Sequence, residues 1–487
     1  MKKDDLLNLF KTYNKNEKDL ELVKRAYEYA DLMHTGQMRQ SGEPYIIHPL
    51  NVAYILADMH ADTNTVCAGL LHDTLEDTSA TKSDIISLFN SDIANLVDGV
   101  TKISKMNFSS KAEQNLANTR KIITSITDDV RIIIIKLADR LHNMRTIKYK
   151  SEFKQKENSA ETLEIFAPLA YYIGAYRIKS ELEDISFKCL KPKEYKKLSY
   201  KMIKANEENN IILTEVLQKI DKILQNQLIP HEIKVRTKNL YGIYKRQCEG
   251  YKISDIHDLL SLKIMVDEVW NCYKSLGLIH SIYNPVNDKF KDYIWNPKVN
   301  LYRSLHTTIF GPRDKLVQTQ IRTFEMDKIA SFGLTAYWDI KKGDARSQMQ
   351  KDLTNKYQFY KSLTDINNMF YDNKEFVLQV KKEIFSDNIH VYTSKGDFLY
   401  LPKGSTIIDF AYKIHTDVGN NLVAAKVNDK YVDDFGYVLK NDDRVVVFTN
   451  ELSSGPNEEW INKAITSRAK KRIKEYEKKA ILNVEKR

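Results

Sequence analysis

A chain of 487 residues is too long for one hydrophobic core, so about three domains are expected. Apolar residues make up 42% and aromatic residues 10%, which excludes a largely disordered chain, and no apolar run approaches the ~18 residues of a membrane span. The net charge of +10 favours anionic partners such as nucleotides or RNA, although a lysine-rich composition alone can produce it.

The start, MKKDDLLNLF, lacks an apolar core of signal-peptide length. Cys67, Cys189, Cys248 and Cys272 have no CxxC spacing, as expected of reduced thiols in a cytoplasmic protein. Residues 1–195 read as helical, with apolar residues at three- and four-residue spacing in 20–34, 49–60, 64–77 and 161–188. The stretches Gly36 to Pro44 and Asp77 to Lys82 read as loops. A polar helix, 193–226, leads into a region of alternating strands and helices through residue 345. Its predicted strands are His231–Val235, Leu259–Val266, Ser304–Phe310 and Leu316–Ile321, around one mixed sheet. A helical spacer (346–384) follows, then a small β-rich module (385–450) with strands at His390–Thr393, Asp397–Leu401 and Arg444–Thr449. A lysine- and arginine-dense helical tail (451–487) completes the chain, its default reading a solvated surface.

Chemistry concentrates in the first region. Pro49 is expected to open the helix 49–60, which places His48 at a helix N-terminus, where a neutral imidazole is favoured. Read as one helix, 64–77 sets His72 facing Glu76 and Asp73 facing Asp77, one turn apart. So many carboxylates beside an imidazole suit a divalent cation. In the third segment Asp139 and Asn143 share a face after the apolar residues Ile132–Ile135 and Leu137, and Asp139 could equally pair with Arg140 or Arg145. The order His, His-Asp, Asp on helices points to a metal-dependent hydrolytic centre.

The runs HTGQMRQSGEPYIIHP (34–49), LLHDTLEDT (70–78), DGVTK (98–102) and KLADRLHNMRT (136–146) resemble the pyrophosphohydrolase domain of the Rel/RelA/SpoT family, which makes and degrades the alarmone (p)ppGpp. The resemblance covers nearly the whole chain. It implies a multidomain α and α/β protein: an all-helical HD-type hydrolase domain (1–195), a mixed-sheet, nucleotidyltransferase-like synthetase domain with a helical linker (196–345) and a small β-grasp TGS domain (385–450). By that likeness His48, His72, Asp73 and Asp139 hold Mn²⁺, and Glu76 and Asp77 position and deprotonate the attacking water. Arg39 meets the substrate's phosphates, Asn143 and Thr146 contact the nucleoside, and the 3′-pyrophosphate leaves GDP or GTP behind. Gln40 replaces the lysine that family members often carry after this arginine, a change that bears on base recognition.

The mixed-sheet region resembles the family's synthetase, which transfers pyrophosphate from ATP to the 3′-hydroxyl of GDP or GTP. The matching residues are Arg236, Lys238, Lys245, Arg246, Asp258, Lys298, Asn300, Tyr302 (a candidate to stack on guanine) and His306. That chemistry needs Mg²⁺ and carboxylates to hold it. Asp258 matches one of them. The family's second is the glutamate of a strand reading Glu-x-Gln-Ile-Arg-Thr, where this chain has Gln318-Thr319-Gln320-Ile321-Arg322-Thr323. Alternation puts Gln318, Gln320 and Arg322 on one face, and glutamine is a poor ligand for a hard cation. Leu301, Arg303, Thr237 and Gly242 are further departures, and Glu325 lies beyond the strand.

In the C-terminal module, His415 matches the residue with which long family members contact deacylated tRNA. The first expectation is therefore an alarmone hydrolase with a degenerate synthetase. The second is a bifunctional enzyme, and the third a tRNA- or ribosome-binding regulator without catalysis.

Overall fold

The computed structural model describes the chain except residues 103–110, 254–255, 257, 299, 301, 334, 336–357 and 486–487. Two compact units emerge, one of residues 1–102 and 131–345, the other of 103–130 and 346–487.

The first unit begins with helices α1 (Lys3–Tyr13), α2 (Glu17–Met33), α3 (Ile47–Asp58), α4 (Thr63–Leu71), α5 (Thr74–Asp77), α6 (Lys82–Leu88) and α7 (Ser91–Lys102). The second unit takes α8 (Lys111–Asp128), and the first resumes at α9 (Val130–Arg145). Helices α3, α4 and α9 are apolar around most of their circumference because they form the interior, with Leu50, Leu56, Val66, Leu70, Ile133–Ile135 and Leu137 sealed from solvent. Helix α3 starts at Ile47, two residues before the expected Pro49. His48 and Pro49 thus share a first turn, where an absent proline N–H leaves no bond unmade.

Two predicted helices are broken. The stretch 64–77 divides at His72-Asp73 into α4 and α5, because side chains take over carbonyls at the end of α4: His72 Nδ1 lies 2.9 Å from Gly69 O, and Thr74 Oγ1 donates to Leu71 O. The stretch 161–188 runs as a π-helical turn (Thr162–Phe166), α11 (Ala167–Tyr172), a break at Gly174 with φ +79°, and α12 (Tyr176–Leu190); α10 (Glu152–Glu161) precedes it. Gly174 and Gly333 meet backbone to backbone. A Cβ on Gly333 would lie 2.3 Å from Ile173 O and 2.8 Å from Gly174 C, so neither position leaves room for a side chain.

Helix α13 (Pro192–Asn226) precedes a five-stranded mixed sheet, order β1-β2-β5-β4-β3, in which β2 and β5 are parallel and the other pairs antiparallel. Its strands are β1 (His231–Arg236), β2 (Ser261–Val266), β3 (Lys291–Asp292), β4 (Leu305–Phe310) and β5 (Leu316–Thr323), with α14 (Leu240–Cys248), α15 (Val269–Ile282) and α16 (Phe324–Phe332) around them. Leu262, Ile264, Leu305, Ile309, Val317 and Ile321 form its core with α13 and α15. Asp184 of α12 accepts from the Leu240 and Tyr241 N–H groups, so α14 is capped by a carboxylate from the helical region. Glu325 falls in the first turn of α16, past the strand as expected.

In the second unit α8 packs on α17 (Gln358–Met369) and α18 (Asn373–Glu383). The β-rich module contains a hairpin, β6 (Asn388–Tyr392) and β7 (Phe398–Pro402), and an antiparallel sheet β10-β8-β9. Strands β8 (Leu422–Val427) and β9 (Lys430–Val432) were not expected, whereas β10 (Val445–Thr449) was. Helices α19 (Ile407–Ile414) and α20 (Thr416–Asn420) lie between β7 and β8 in the chain. The tail is less solvated than its composition implies. After α21 (Trp460–Lys463), the buried Asp409 accepts from the Ile465 and Thr466 N–H groups and the Thr466 hydroxyl, Glu383 accepts from Ser467, and α22 (Ser467–Glu485) buries Ala469 and Ile473. All four cysteines are free thiols, and among the described residues no helix is long and apolar enough to cross a membrane.

Gly333→Ala should lower the apparent thermal midpoint, with a cost of about 2 kcal/mol, since the backbone it strikes is fixed. Gly277→Ala, in α15 with open space around it, should instead stabilise by about 1 kcal/mol. Equal effects of the two would show that the Gly174–Gly333 contact does not form.

Candidate functional site

The start of α3, the end of α4 and the interior of α9 bring His48, His72, Asp73 and Asp139 together. His48 Nε2 lies 3.3 Å from Asp139 Oδ1 and 3.5 Å from Asp73 Oδ2, and His72 Nε2 lies 3.1 Å from Asp73 Oδ1. Ligand atoms of His48, His72 and Asp139 fall within 4.8 Å of one another. Both imidazoles are held from behind. His72 Nδ1 faces the Gly69 carbonyl at 2.9 Å and so carries the proton; His48 Nδ1 is 2.7 Å from His142 Nδ1. With the proton on His48 Nδ1 donated to His142, both Nε2 lone pairs point to the shared centre, as in protein metal sites. His72 Nε2 is buried without a hydrogen-bond partner, and an ion in this centre would satisfy it.

The electrostatics favour positive charge at this centre. Burial alone would raise the Asp73 and Asp139 carboxyls. The imidazoles beside Asp73, and Lys136 with the imidazoles beside Asp139, outweigh it and hold both below the ordinary range. Burial would lower His72, but Asp73 and Asp139 outweigh it and raise it; at His48 burial wins and lowers it. His142 is pushed down to about 3 by burial and by the nearby His48 and Arg39, which suits the acceptor role. These residues fit a divalent metal ion with imidazole and carboxylate ligands.

Asp139 pairs with neither candidate arginine: Arg140 reaches Glu161 and Arg145 reaches Glu181, while Lys136 sits 3.4 Å from Asp139. Asn143 donates to Asp139 Oδ1 at 2.6 Å and accepts from Arg39 at 3.1 Å, which joins two expected substrate residues to the centre. The Thr146 hydroxyl donates to the His142 carbonyl at the end of α9. Asp77, on α5 with Glu76, accepts from the Tyr45 hydroxyl at 3.1 Å; the same oxygen lies 2.8 Å from Asp73 Oδ2. Tyr45, His142 and Lys136 were not singled out from the sequence. Tyr45 and His142 lie inside the quoted runs, but nothing in their spacing shows that they reach the centre.

The second group gathers on the mixed sheet. Gln318 N donates to Leu260 O at 2.8 Å, which sets Gln318 on β5 level with the start of β2, just after Asp258. Asp258 is ion-paired with Lys238. Gln320 donates to Gln318 Oε1 at 2.9 Å, and its own oxygen accepts from Tyr302 and Arg322, so the expected alternation is realised as a chain of amides. Tyr302 is 8% exposed; Lys298 and Arg322 each lie 5.2 Å from its ring centroid, and its hydroxyl is 2.9 Å from His306 Nε2. A base stacking on that ring requires one of these cations to move. Asn300 turns toward the helical region and donates to Tyr171 O and the Tyr176 hydroxyl. Arg246 pairs with Glu249 at 3.0 Å, and Arg236 and Lys245 are exposed. His257, Val299 and Leu301 lie outside the described residues. In the second unit His415 is exposed, and its Nδ1 caps α20 by accepting from Asp417 N–H.

Comparison with known proteins places these features. Residues 26–175 match the HD domain, 235–345 the region found in RelA / SpoT proteins and 389–449 the TGS domain. The chain is 44% identical over 462 residues to a GTP pyrophosphokinase of Myxococcus xanthus, covering 94% of this chain and 60% of that protein. It is 42% identical over 479 residues to a guanosine-3′,5′-bis(diphosphate) 3′-pyrophosphohydrolase of Aquifex aeolicus, covering 98% and 67%. A protein of the same name from Vibrio cholerae is 39% identical over 460 residues, 94% of this chain and 65% of its own length. The chain thus spans about three fifths to two thirds of the relatives it matches.

His142→Ala should weaken uptake of a divalent transition ion about 10- to 100-fold, because it removes the acceptor that orients His48. Equilibrium dialysis with Mn²⁺ checks this; unchanged uptake would mean that the ion sits elsewhere.

Proposed function

Because the chain belongs to the RelA/SpoT family, we propose that its complete active centre is the helical one and that it hydrolyses (p)ppGpp to GDP or GTP and pyrophosphate. The observation that carries this reading is the convergence of two oriented imidazoles and two carboxylates, one Nε2 otherwise unsatisfied. His48, His72, Asp73 and Asp139 would hold Mn²⁺. When bound, such an ion would supply Lewis acidity, which brings the pKa of a water from 15.7 toward neutrality, to about 7 in favourable cases.

The chain's own groups supply the rest. Glu76 and Asp77 stand one turn beyond the ligands, where a carboxylate oxygen can take the proton of the attacking water, a contribution on the order of 10²–10⁴-fold. The Tyr45 hydroxyl ties Asp77 to Asp73 and so fixes the base relative to the ligand. Arg39, braced by Asn143, offers its guanidinium to the phosphates, and Asn143 with Thr146 lines the nucleoside side. Domain limits of 1–195, 196–345, 346–384, 385–450 and 451–487 accompany this reading. So does a cytoplasmic location, with tRNA or ribosome contact through His415.

The mixed-sheet domain is read as a degenerate synthetase, supported by the neutral Gln318 and by the Asp258–Lys238 pair. A second reading, a bifunctional enzyme also using ATP and Mg²⁺, is favoured by the relatives named GTP pyrophosphokinase and by the retained Asp258. Two incubations separate them: ppGpp with Mn²⁺, and ATP plus GDP with Mg²⁺. Turnover in the first alone is expected; alarmone formed in the second at rates typical of an active synthetase would refute the degenerate reading.

Asp73→Asn should abolish pyrophosphate release together with Mn²⁺ uptake. Glu76→Gln should lower kcat about 10²–10⁴-fold while Mn²⁺ still binds. Full activity of Asp73→Asn would disprove the assignment of the centre.

A further inference from the structure

The loop between α2 and α3 carries Arg39 and Tyr45, and its own backbone draws it closed. Arg39 N–H donates to Glu43 O at 2.9 Å, Tyr45 N–H donates to Gln37 O at 3.0 Å, and Met38 and Pro44 form an antiparallel β-bridge. At the foot of this loop His34 caps the end of α2 and is 3% exposed. Its ring stacks on that of Tyr45, with 4.6 Å between centroids and 25° between planes. Gln37 joins the loop to α5. Its Nε2 donates to the Asp77 carbonyl at 2.9 Å, and its Oε1 lies 2.8 Å from His34 Nδ1. A carbonyl can only accept, so the amide nitrogen must face Asp77 and the amide oxygen must face the imidazole. His34 Nδ1 is therefore the donor to Gln37. The other nitrogen, Nε2, is buried with no hydrogen-bond partner among the described residues. Nδ1 alone sets this ring apart from an apolar one in the same place.

Asp77 is thus held at both ends. The Tyr45 hydroxyl fixes its carboxylate at 3.1 Å, the Gln37 amide fixes its carbonyl, and His34 stands behind both. We propose that His34 is a positioning residue for the carboxylate that takes the proton of the attacking water, and that it acts through the Gln37 amide. The Nδ1–H turns that amide so that it pins the last residue of α5, and with it the direction of the Asp77 side chain. The inference rests on the reading of Asp77 as a water-activating group in (p)ppGpp hydrolysis. Its physical basis is distance: a carboxylate accepts a proton only within hydrogen-bond reach of it. A turn free to shift by about 1 Å would leave substrate binding intact and slow the proton step.

Three variants of the full chain separate hydrogen-bond donation from packing. His34→Phe keeps a ring against Tyr45 and removes the donor, His34→Asn keeps an N–H near the place of Nδ1 and removes the ring, and Gln37→Met removes the relay. With ppGpp and Mn²⁺, His34→Phe and Gln37→Met should each lower kcat about 10- to 100-fold, with KM and Mn²⁺ uptake held within about twofold. His34→Asn should keep most of kcat. The double variant His34→Phe/Gln37→Met should lose no more than Gln37→Met alone, because both act through one bond. A Phe variant as active as the Asn one, a loss carried by KM, or a loss of Mn²⁺ uptake would assign His34 to packing or to the ion and overturn the proposal. Hydrogen exchange in the chain without substrate reads the same device apart from catalysis. The Glu76 and Asp77 amides, which donate to Asp73 O, should exchange about tenfold faster in His34→Phe and Gln37→Met but not in His34→Asn. Exchange indifferent to all three overturns the proposal whatever the activity. Absence of ppGpp turnover by the unaltered chain refutes the hydrolase reading instead, and the exchange comparison still decides whether His34 and Gln37 hold Asp77.

Discussion

Two hydrogen bonds made on the far side of two imidazoles hold the helical centre in place. His72 is tied through Nδ1 to the Gly69 carbonyl and His48 through Nδ1 to His142, so neither ring can rotate its Nε2 away from Asp73 and Asp139. The bond at His72 also ends α4, because the carbonyl it takes is no longer free to continue the helix. Local chain geometry and site chemistry are therefore one event here. The Asp73-Thr74-Leu75-Glu76-Asp77 turn that follows keeps Asp73 and Asp77 one turn apart, as a continuous helix would have done, and Tyr45 closes across them.

The two polar clusters of the first unit follow opposite electrostatic logic. In the helical centre, carboxylates and imidazoles gather around a point that favours a cation, with Lys136 beside Asp139 at 3.4 Å. On the sheet, cations gather around neutral amides and a neutral imidazole. On β5 the uncharged amide of Gln318 accepts from Gln320 and adds no negative charge to that face.

Both clusters lie in one compact unit, and direct contacts join their surroundings. The Asp184 carboxylate of α12 caps α14, Asn300 donates to Tyr171 O and to the Tyr176 hydroxyl, and the Gly174–Gly333 contact brings two backbones to a separation that no side chain permits. Phe332 stacks on His60 at 4.5 Å, and His60 stacks on Tyr13 at 4.7 Å, which continues the packing into α1. Hydrophobic burial sets the positions of the helices and strands. These polar and backbone contacts add direction to it.

The sequence by itself determined that residues 1–195 are helical, the alternation on β5 that aligns Gln318 with Gln320 and Arg322, and the residue types at His48, His72, Asp73 and Asp139 that the fold brings together. Those features depend on local periodicity and on residue chemistry, both written along the chain. It did not show the breaks at His72 and Gly174, the strands β8 and β9, or the anchoring of the basic tail through Asp409 and Glu383. Nor did it show Tyr45 and His142 at the centre, or the cations that cover Tyr302. Only the tertiary structure decided these, because each depends on groups tens or hundreds of residues apart: a ring meeting a distant ring, a carboxylate meeting a distant helix start, a glycine meeting another glycine. Spacing along a chain says which face a residue lies on; what waits opposite that face is settled by packing.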